Sequence, residues 1–255
     1  MRKSHFTTYT WALMFMLVVL SCGKDKEGCT EQAALNFDPE ATIEDGSCEF
    51  SLEYIYGLEF GSMTDQEGNQ YATIVIGNQE WMAENLRTTK YCNGDPLANV
   101  TDSSQWVNLT SGAWAHYQNN SQYEVPYGKL YNWYAVDDSR NICPCGWHVP
   151  SDAEWDVLID LLGVNAGGKM KSTGTEYWNH PNANATNESG FSGLPGGLRH
   201  SNGAFYDIGY VGFWWSSTEF SVLSAGNQTT SYYSGDVSGE HLGKTFGFSV
   251  RCLRD

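Results

Sequence analysis

Basic residues are scarce in this 255-residue chain: 14 Lys and Arg stand against 30 Asp and Glu, a net charge of −16 at pH 7. Nucleic-acid recognition rests on a basic patch laid over phosphates, so this balance excludes that class of partner. Charged residues of both signs make up only 17% of the chain, whereas aromatic residues reach 14%, with 10 Trp. Disordered chains are poor in aromatics, so a folded body is expected. The 6 His are scattered, and no His-Glu-x-x-His zinc helix occurs. A Gly-x-Ser-x-Gly hydrolase elbow is also absent. Gly167-Gly168-Lys169 lacks the spacing of a phosphate loop. No period of fixed length repeats, which excludes a propeller or solenoid.

The amino terminus reads as an address. Arg2 and Lys3 precede an apolar run from Trp11 to Leu20. A membrane-spanning helix needs about 20 apolar residues, so this shorter run fits the core of a secretory signal over residues 1–21. It ends Val19-Leu20-Ser21-Cys22, which resembles a bacterial lipobox with Cys22 as the lipidated first residue of the mature chain. Each buried CH₂ contributes about 0.8 kcal/mol, and two or more acyl chains anchor stably. The expected partner is therefore a membrane, reached through the lipid on Cys22. Removal of Arg2 and Lys3 makes the mature chain more acidic still. The charged run Gly23-Lys24-Asp25-Lys26-Glu27 is similar to the export tag of surface lipoproteins in Bacteroidetes. The expected location is the outer membrane, at the cell surface.

Of 7 Cys, six remain once Cys22 is set aside. An even number in an exported chain reads as disulfides, and six allow fifteen pairings. Cys29 and Cys48 bracket a compact, turn-rich segment and are expected to pair. Residues 22–50 would then be a tether plus a closed spacer. Asn36, Asp38 and Asp45 within it are hard oxygen donors, so weak calcium binding is a secondary expectation there. One residue separates Cys143 from Cys145, and a mutual bridge would be strained. Separate partners are expected, Cys143 with Cys252 and Cys92 with Cys145.

Residues 51–59 read as a linker, and 60–255 as the main domain. Alternation predicts a strand over Tyr71 to Ile76, and Gly77-Asn78 is a two-residue hairpin signal. Ser151-Asp152-Ala153-Glu154 has the form of a capping box. Trp155, Leu158, Ile159 and Leu162 then follow helical spacing up to Gly163, a natural C-cap. Leu130 to Val136 is expected to form an earlier helix. Gly193 to Gly197 reads as turn, and Gly212 to Ser217 and Thr245 to Cys252 as buried strands.

Several phrases then fall in order: Asp65-x-x-Gly68-Asn69-x-Tyr71, Trp81-Met82-Ala83-Glu84-Asn85-Leu86, Tyr127-Gly128-Lys129-Leu130-Tyr131-Asn132-Trp133, Gly146-Trp147-His148-Val149-Pro150-Ser151-Asp152, Gly190-Phe191-Ser192-x-Leu194-Pro195-Gly196-Gly197 and Ser249-Val250-Arg251-Cys252. Together they resemble the Fibrobacter succinogenes major paralogous domain of exported bacterial chains. That family is similar to the wider C-type-lectin-like and formylglycine-generating-enzyme superfamily. The resemblance implies an α+β, C-type-lectin-like fold: a twisted antiparallel sheet, two helices, long loops, stabilising disulfides and neighbouring chain ends.

The same resemblance raises two chemistries that the residues oppose. Formylglycine-generating enzymes hold copper on a pair of cysteines near the carboxyl terminus, and only Cys252 follows residue 145 here. Calcium-dependent lectins use Glu-Pro-Asn or Gln-Pro-Asp with Trp-Asn-Asp; the nearest match is Trp178-Asn179-His180. His148 is expected to be a structural hydrogen-bonder. No catalytic residue, cofactor or strong metal site is expected. What remains is aromatic loop surface in Asn-, Ser- and Gly-rich segments: Trp106, Trp114, Tyr117, Tyr123, Trp178, Tyr206, Tyr210, Tyr232 and Tyr233. Exposed Tyr and Trp give contact area at low entropic cost. Trp81, Trp133, Trp147, Trp155, Trp214 and Trp215 are expected in the core. The reading is a tethered, non-enzymatic module that binds an extracellular glycan or protein. The alternatives are an oxidase or carbohydrate-active enzyme and a structural part of a surface assembly. Cys22→Ala is expected to move the protein from the membrane to the soluble fraction on cell fractionation; retention in the membrane pellet would reject the anchor.

Overall fold

The computed structural model describes residues 25–49 and 56–255. The signal segment, Cys22 and most of the expected linker lie outside the described residues. The chain divides into two compact units, 1–50 and 51–255. Among the described residues, no helix is long and apolar enough to cross a membrane.

In the first unit, β1 (Glu27–Gly28) and β2 (Ile43–Glu44) pair in parallel. The Cys29–Cys48 disulfide closes the segment, with Cys29 buried. Lys26 lies 2.7 Å from Asp38 and 3.0 Å from Glu40. Thr30 donates to Glu44 through both its N–H and its hydroxyl.

The second unit is α+β and mostly sheet. Its strands are β3 (Phe60–Thr64), β4 (Gln70–Ile76), β5 (Gln79–Met82), β6 (Ala98–Asn99), β7 (Ala113–Ala115), β8 (Leu130–Asn132) and β9 (Trp147–His148), followed by β10 (Gly196–Arg199), β11 (Phe205–Ile208), β12 (Val211–Ser221), β13 (Ser224–Ser231), β14 (Val237–Gly243), β15 (Gly247–Phe248) and β16 (Leu253–Arg254). Instead of one antiparallel sheet they form three, in the orders β3-β4-β5-β16-β9, β11-β10-β15-β8-β7-β6 and β12-β13-β14. Every pairing in them is antiparallel except β6 with β7. The first and last strands of this unit share the five-stranded sheet. Its helices include α1 (Ser103–Val107), α2 (Trp133–Val136), α3 (Asp152–Leu162) and α4 (Ala166–Met170), with further short turns of helix between Tyr117 and Tyr127.

Local chemistry explains several of these elements. The β4–β5 hairpin closes on Gly77, whose positive φ of 63° suits the first position of a type II′ turn. Both halves of the α3 capping box form: Glu154 N–H donates to the Ser151 hydroxyl, and Ser151 N–H donates to the Glu154 carboxylate. Trp155 and Leu158 are buried beneath α3, with Ile159 and Leu162 half-buried beside them. The expected helix over Leu130 to Val136 is instead a strand followed by a single turn. Asn132 makes the break, because its side-chain carbonyl accepts from Ala113 N–H and Ala135 N–H and so both ties β7 and caps α2. Gly196 and Gly197, read as turn, begin β10. The expected strand over Thr245 to Cys252 is broken: Gly247–Phe248 pairs in one sheet and the chain then crosses to another.

That carboxyl-terminal crossing joins the three sheets. Gly247 and Phe248 pair with β8. Ser249 N–H donates to Phe213 O, and Trp215 N–H donates to Ser249 O. Val250 O accepts from Leu86 N–H, Cys252 O from Met82 N–H, and Leu253 then pairs with Trp81 and His148. The Cys143–Cys252 bridge locks the crossing, and Cys92–Cys145 closes the neighbouring loop. Trp81, Trp133, Trp147, Trp155, Trp214 and Trp215 are all buried around it.

Arg251 sits at the centre of the crossing, fully buried and 4.1 Å above the Phe191 ring. Its guanidinium donates to Asn85 Oδ1 at 2.9 Å, Ser192 O at 2.9 Å and the carbonyls of Phe191 and Met82. Burial pushes it down to about 9, so it stays charged at neutral pH. Arg251→Leu would strand these acceptors in the core. We expect a loss of roughly 3–5 kcal/mol in urea unfolding; a loss under about 1 kcal/mol would show that the acceptors re-pair.

Candidate functional site

The expected surface rings divide into two groups. Trp106, Trp114, Tyr117 and Trp178 are buried, which corrects their reading as displayed ligand contacts. The cause is long-range pairing of their polar edges. Trp106 Nε1 donates to Thr245 O at 2.7 Å, Trp114 Nε1 to Leu97 O at 3.1 Å and Trp178 Nε1 to Gly193 O at 3.1 Å. Each of these indoles also covers a buried cation: Arg199 over Trp106, Lys129 over Trp114 and Lys171 over Trp178. Tyr117 packs against Tyr123 and Phe205. Tyr206, Tyr210 and Tyr233 remain exposed, with Tyr123 and Tyr232 partly so.

Tyr233 marks the most open of these places. It stands beside a groove of about 420 Å³ on one face of β12-β13-β14. Antiparallel register places the lining: Val211 lies opposite Ser231, Phe213 opposite Thr229, and Thr229 opposite Ser238. Side chains two apart on a strand share a face, so hydroxyls from Thr229, Ser231 and Ser238 line one wall. Glu240 extends that row along β14, and Ser234 and Asp236 come from the turn between β13 and β14. Val211 and Phe213 form the apolar side, with Phe213 stacked on Phe248 at 5.1 Å. Tyr233 is 70% exposed. Its ring meets Tyr232 edge-on at 5.4 Å, and Tyr232 meets Tyr210 at 5.2 Å.

The turn that carries Tyr233 is held from beneath. The α4 sequence Ala-Gly-Gly-Lys-Met lets it approach closely. A Cβ on Gly167 would come within 2.3 Å of Asp236 O, and one on Gly168 within 2.1 Å of Asn184 O. Gly168 N–H donates to Gly235 O at 2.8 Å. Lys171 completes the hold. Its ammonium is fully buried and donates to Ser231 O and Ser234 O at 2.8 Å and to Ala183 O at 2.9 Å. Burial without a carboxylate partner pushes it down to about 8. Sequence reasoning missed Lys171 and α4, whose only signal was a Gly-Gly-Lys read for a phosphate loop it does not form.

A second recess of about 260 Å³ opens beside the Arg251 node, walled by Val125, Pro126, Tyr177 and Leu194. The Glu84–Arg87 pair at its edge closes at 3.0 Å, and Arg87 also donates to Gln70 O. Its charged groups are thus committed within the fold.

The three spacer donors expected to hold calcium each have a partner within the protein. Asn36 Oδ1 accepts from Glu49 N–H, Asp38 is held by Lys26, and Asp45 accepts from Ser47 N–H. Among the described residues, the one group of three or more His, Cys, Asp or Glu ligand atoms lying within 4.8 Å of one another is Cys29, Glu44 and Cys48. Its two sulfurs are bonded to each other.

His148 has both ring nitrogens engaged, Nδ1 at 2.6 Å from Asp255 and Nε2 at 3.0 Å from Glu154. Neither nitrogen is left to move a substrate proton. Burial alone would lower its pKa, but the hydrogen bonds to Asp255 and Glu154 outweigh it and the net shift is upward. A raised folded value means the clamp stabilises fully below the ordinary imidazole value of 6.5 and fades as pH rises through the folded value. The side chain is 34% exposed, so the contribution is at most about 1 kcal/mol. His148→Gln is expected to remove that slope from stability measured between pH 6 and 9; an unchanged slope would assign it to another group.

Neither the curated proteins nor the solved structures contain a match to this chain. A family model does match, described as the Fibrobacter succinogenes major domain, over residues 74–254. The match runs from the end of β4 to β16, without β3 or the part of β4 that pairs most of it. It takes in the Arg251 crossing, α4 and the groove, and on it this chain belongs to the Fibrobacter succinogenes major domain family.

Proposed function

We propose that this protein is a non-enzymatic binding module, lipid-tethered through Cys22 at the outer cell surface, that presents the β12-β13-β14 groove to an extracellular glycan. The observation that carries the reading is the lining of that groove. An exposed Tyr233 ring stands beside hydroxyls from three strand positions, where Val211–Trp215, Asn227–Ser231 and Val237–Glu240 pair in unbroken register. A sugar ring stacks its apolar face on an aromatic ring and offers its hydroxyls to polar groups around it. The volume falls in the range of about 300–1,000 Å³ usual for small-ligand sites. Placing contacts on strands keeps them in register before the ligand arrives.

Other features favour binding over catalysis. The six described cysteines are all bridged, so none offers the thiol pair of a formylglycine-type oxidase. Both His148 nitrogens are committed. The α+β architecture with disulfides is compatible with a C-type-lectin-like fold, and we place the family there as part of this reading. The Cys29–Cys48 unit would space the domain from the membrane.

A glycan array probed with the full-length protein in detergent is expected to retain it on a restricted set of glycans. On the best of these, Tyr233→Ala should weaken binding about tenfold. Tyr206→Ala, another exposed ring outside the groove, should leave binding unchanged. No retention on any glycan, or retention indifferent to Tyr233, would reject the reading.

A further inference from the structure

We propose that the groove selects glycans carrying free, protonated amino groups and rejects acidic ones. The inference rests on the glycan reading above and adds the charge of the ligand.

The two charged residues that line the groove are Asp236 and Glu240, both acidic. Within the described residues neither forms an ion pair with the protein. Asp236 accepts one hydrogen bond from the Ser234 hydroxyl, at 3.2 Å, and keeps further acceptor capacity. Among the described residues, no cation lines the groove. Lys171 lies directly beneath the turn, but its ammonium is buried and spent on three carbonyls. Lys244 is also buried, bound to Glu219 and set over the Trp133 ring. A uronate or sulfate entering here would therefore meet two carboxylates and no compensating donor of positive charge. Like charges brought together in a partly desolvated site repel.

An ammonium group meets the opposite field. It carries three donors and no acceptor. Carboxylates and serine hydroxyls are the acceptors it needs, and the groove supplies both. The exposed face of Tyr233 adds cation–π attraction. An amino sugar combines this ammonium with the polyol ring that the hydroxyl wall and the tyrosine accommodate. N-acetylation keeps the ring and removes the charge, so it isolates the electrostatic part of recognition. The attraction is also expected to weaken as salt is added.

The test is isothermal titration of the full-length protein in detergent with three tetrasaccharides: a β-1,4-glucosamine tetramer, its fully N-acetylated counterpart and a galacturonate tetramer. The free-amine tetramer should bind at least tenfold more tightly than the acetylated one, and the acidic one should not bind. Asp236→Asn with Glu240→Gln should bring the amine tetramer to the affinity of the acetylated one. Because the whole chain is acidic, a second variant controls for diffuse attraction: Glu59→Gln with Asp137→Asn, exposed carboxylates outside the groove lining, should change nothing. Equal affinity for amine and acetylated tetramers, with Tyr233→Ala weakening both, would overturn the charge inference and leave the glycan reading standing. Amine binding weakened equally by the Glu59→Gln, Asp137→Asn variant would overturn it as non-specific. If no tetramer binds, the inference fails here; the glycan reading falls only if the array is blank as well.

Discussion

The fold depends on cations buried in an acidic protein, each lodged between backbone carbonyls and an aromatic ring. Arg251 lies over Phe191, Arg199 over Trp106 and Lys171 over Trp178, and none of the three touches a carboxylate at its seat. Lys129 over Trp114 and Lys244 over Trp133 add a glutamate to the same arrangement. Desolvating a cation is costly, and an unpaired one would not persist. Carbonyl dipoles provide the compensation, and they come from segments far apart in sequence. Arg199 ties its own hairpin to Val100 and Thr101; Arg251 ties β5 to the loop before β10. In a chain with so much irregular backbone, these nodes do the work that a continuous sheet does elsewhere. They satisfy loop carbonyls that would otherwise be buried without partners.

The same arrangement shapes the surface. Putting lysine and arginine inside leaves the outside more acidic than composition suggests. It also explains how an exposed tyrosine can stand on a loop yet hold its place. The turn bearing Tyr233 rests on Lys171 from below and on two α4 glycines from the side. A loop supported in this way presents its side chains with little ordering left to do on binding, which is the condition for affinity from a small contact. The neighbouring disulfides restrain a different region, around the carboxyl-terminal crossing, so scaffold and recognition face are secured by separate means.

The aromatic residues divide along the same line. Those within the apolar phrases, such as Trp81, Trp155 and Trp215, form the core. Those in polar segments split between buried rings, most of them cation covers, and surface rings, and no local property separates the two. Trp178 and Tyr233 both lie among Asn, Ser and Gly. One is buried because Gly193 O and Lys171 await it, and the other is exposed because nothing packs above it.

The sequence by itself determined what is encoded within a few residues. The capping box and apolar stripe set α3, and Gly77 set the hairpin. The spacing of Cys143 and Cys145 disfavoured a bridge between them and led to the partners Cys252 and Cys92. Ordered phrases along the chain pointed to its family. Only the tertiary structure decided which rings face solvent, which cations lie inside, and that three sheets rather than one surround the carboxyl-terminal crossing. Those outcomes turn on contacts such as Trp106 with Thr245, 139 residues apart. A partner at that distance leaves no periodicity in the chain, because the interaction exists only once the intervening backbone has folded.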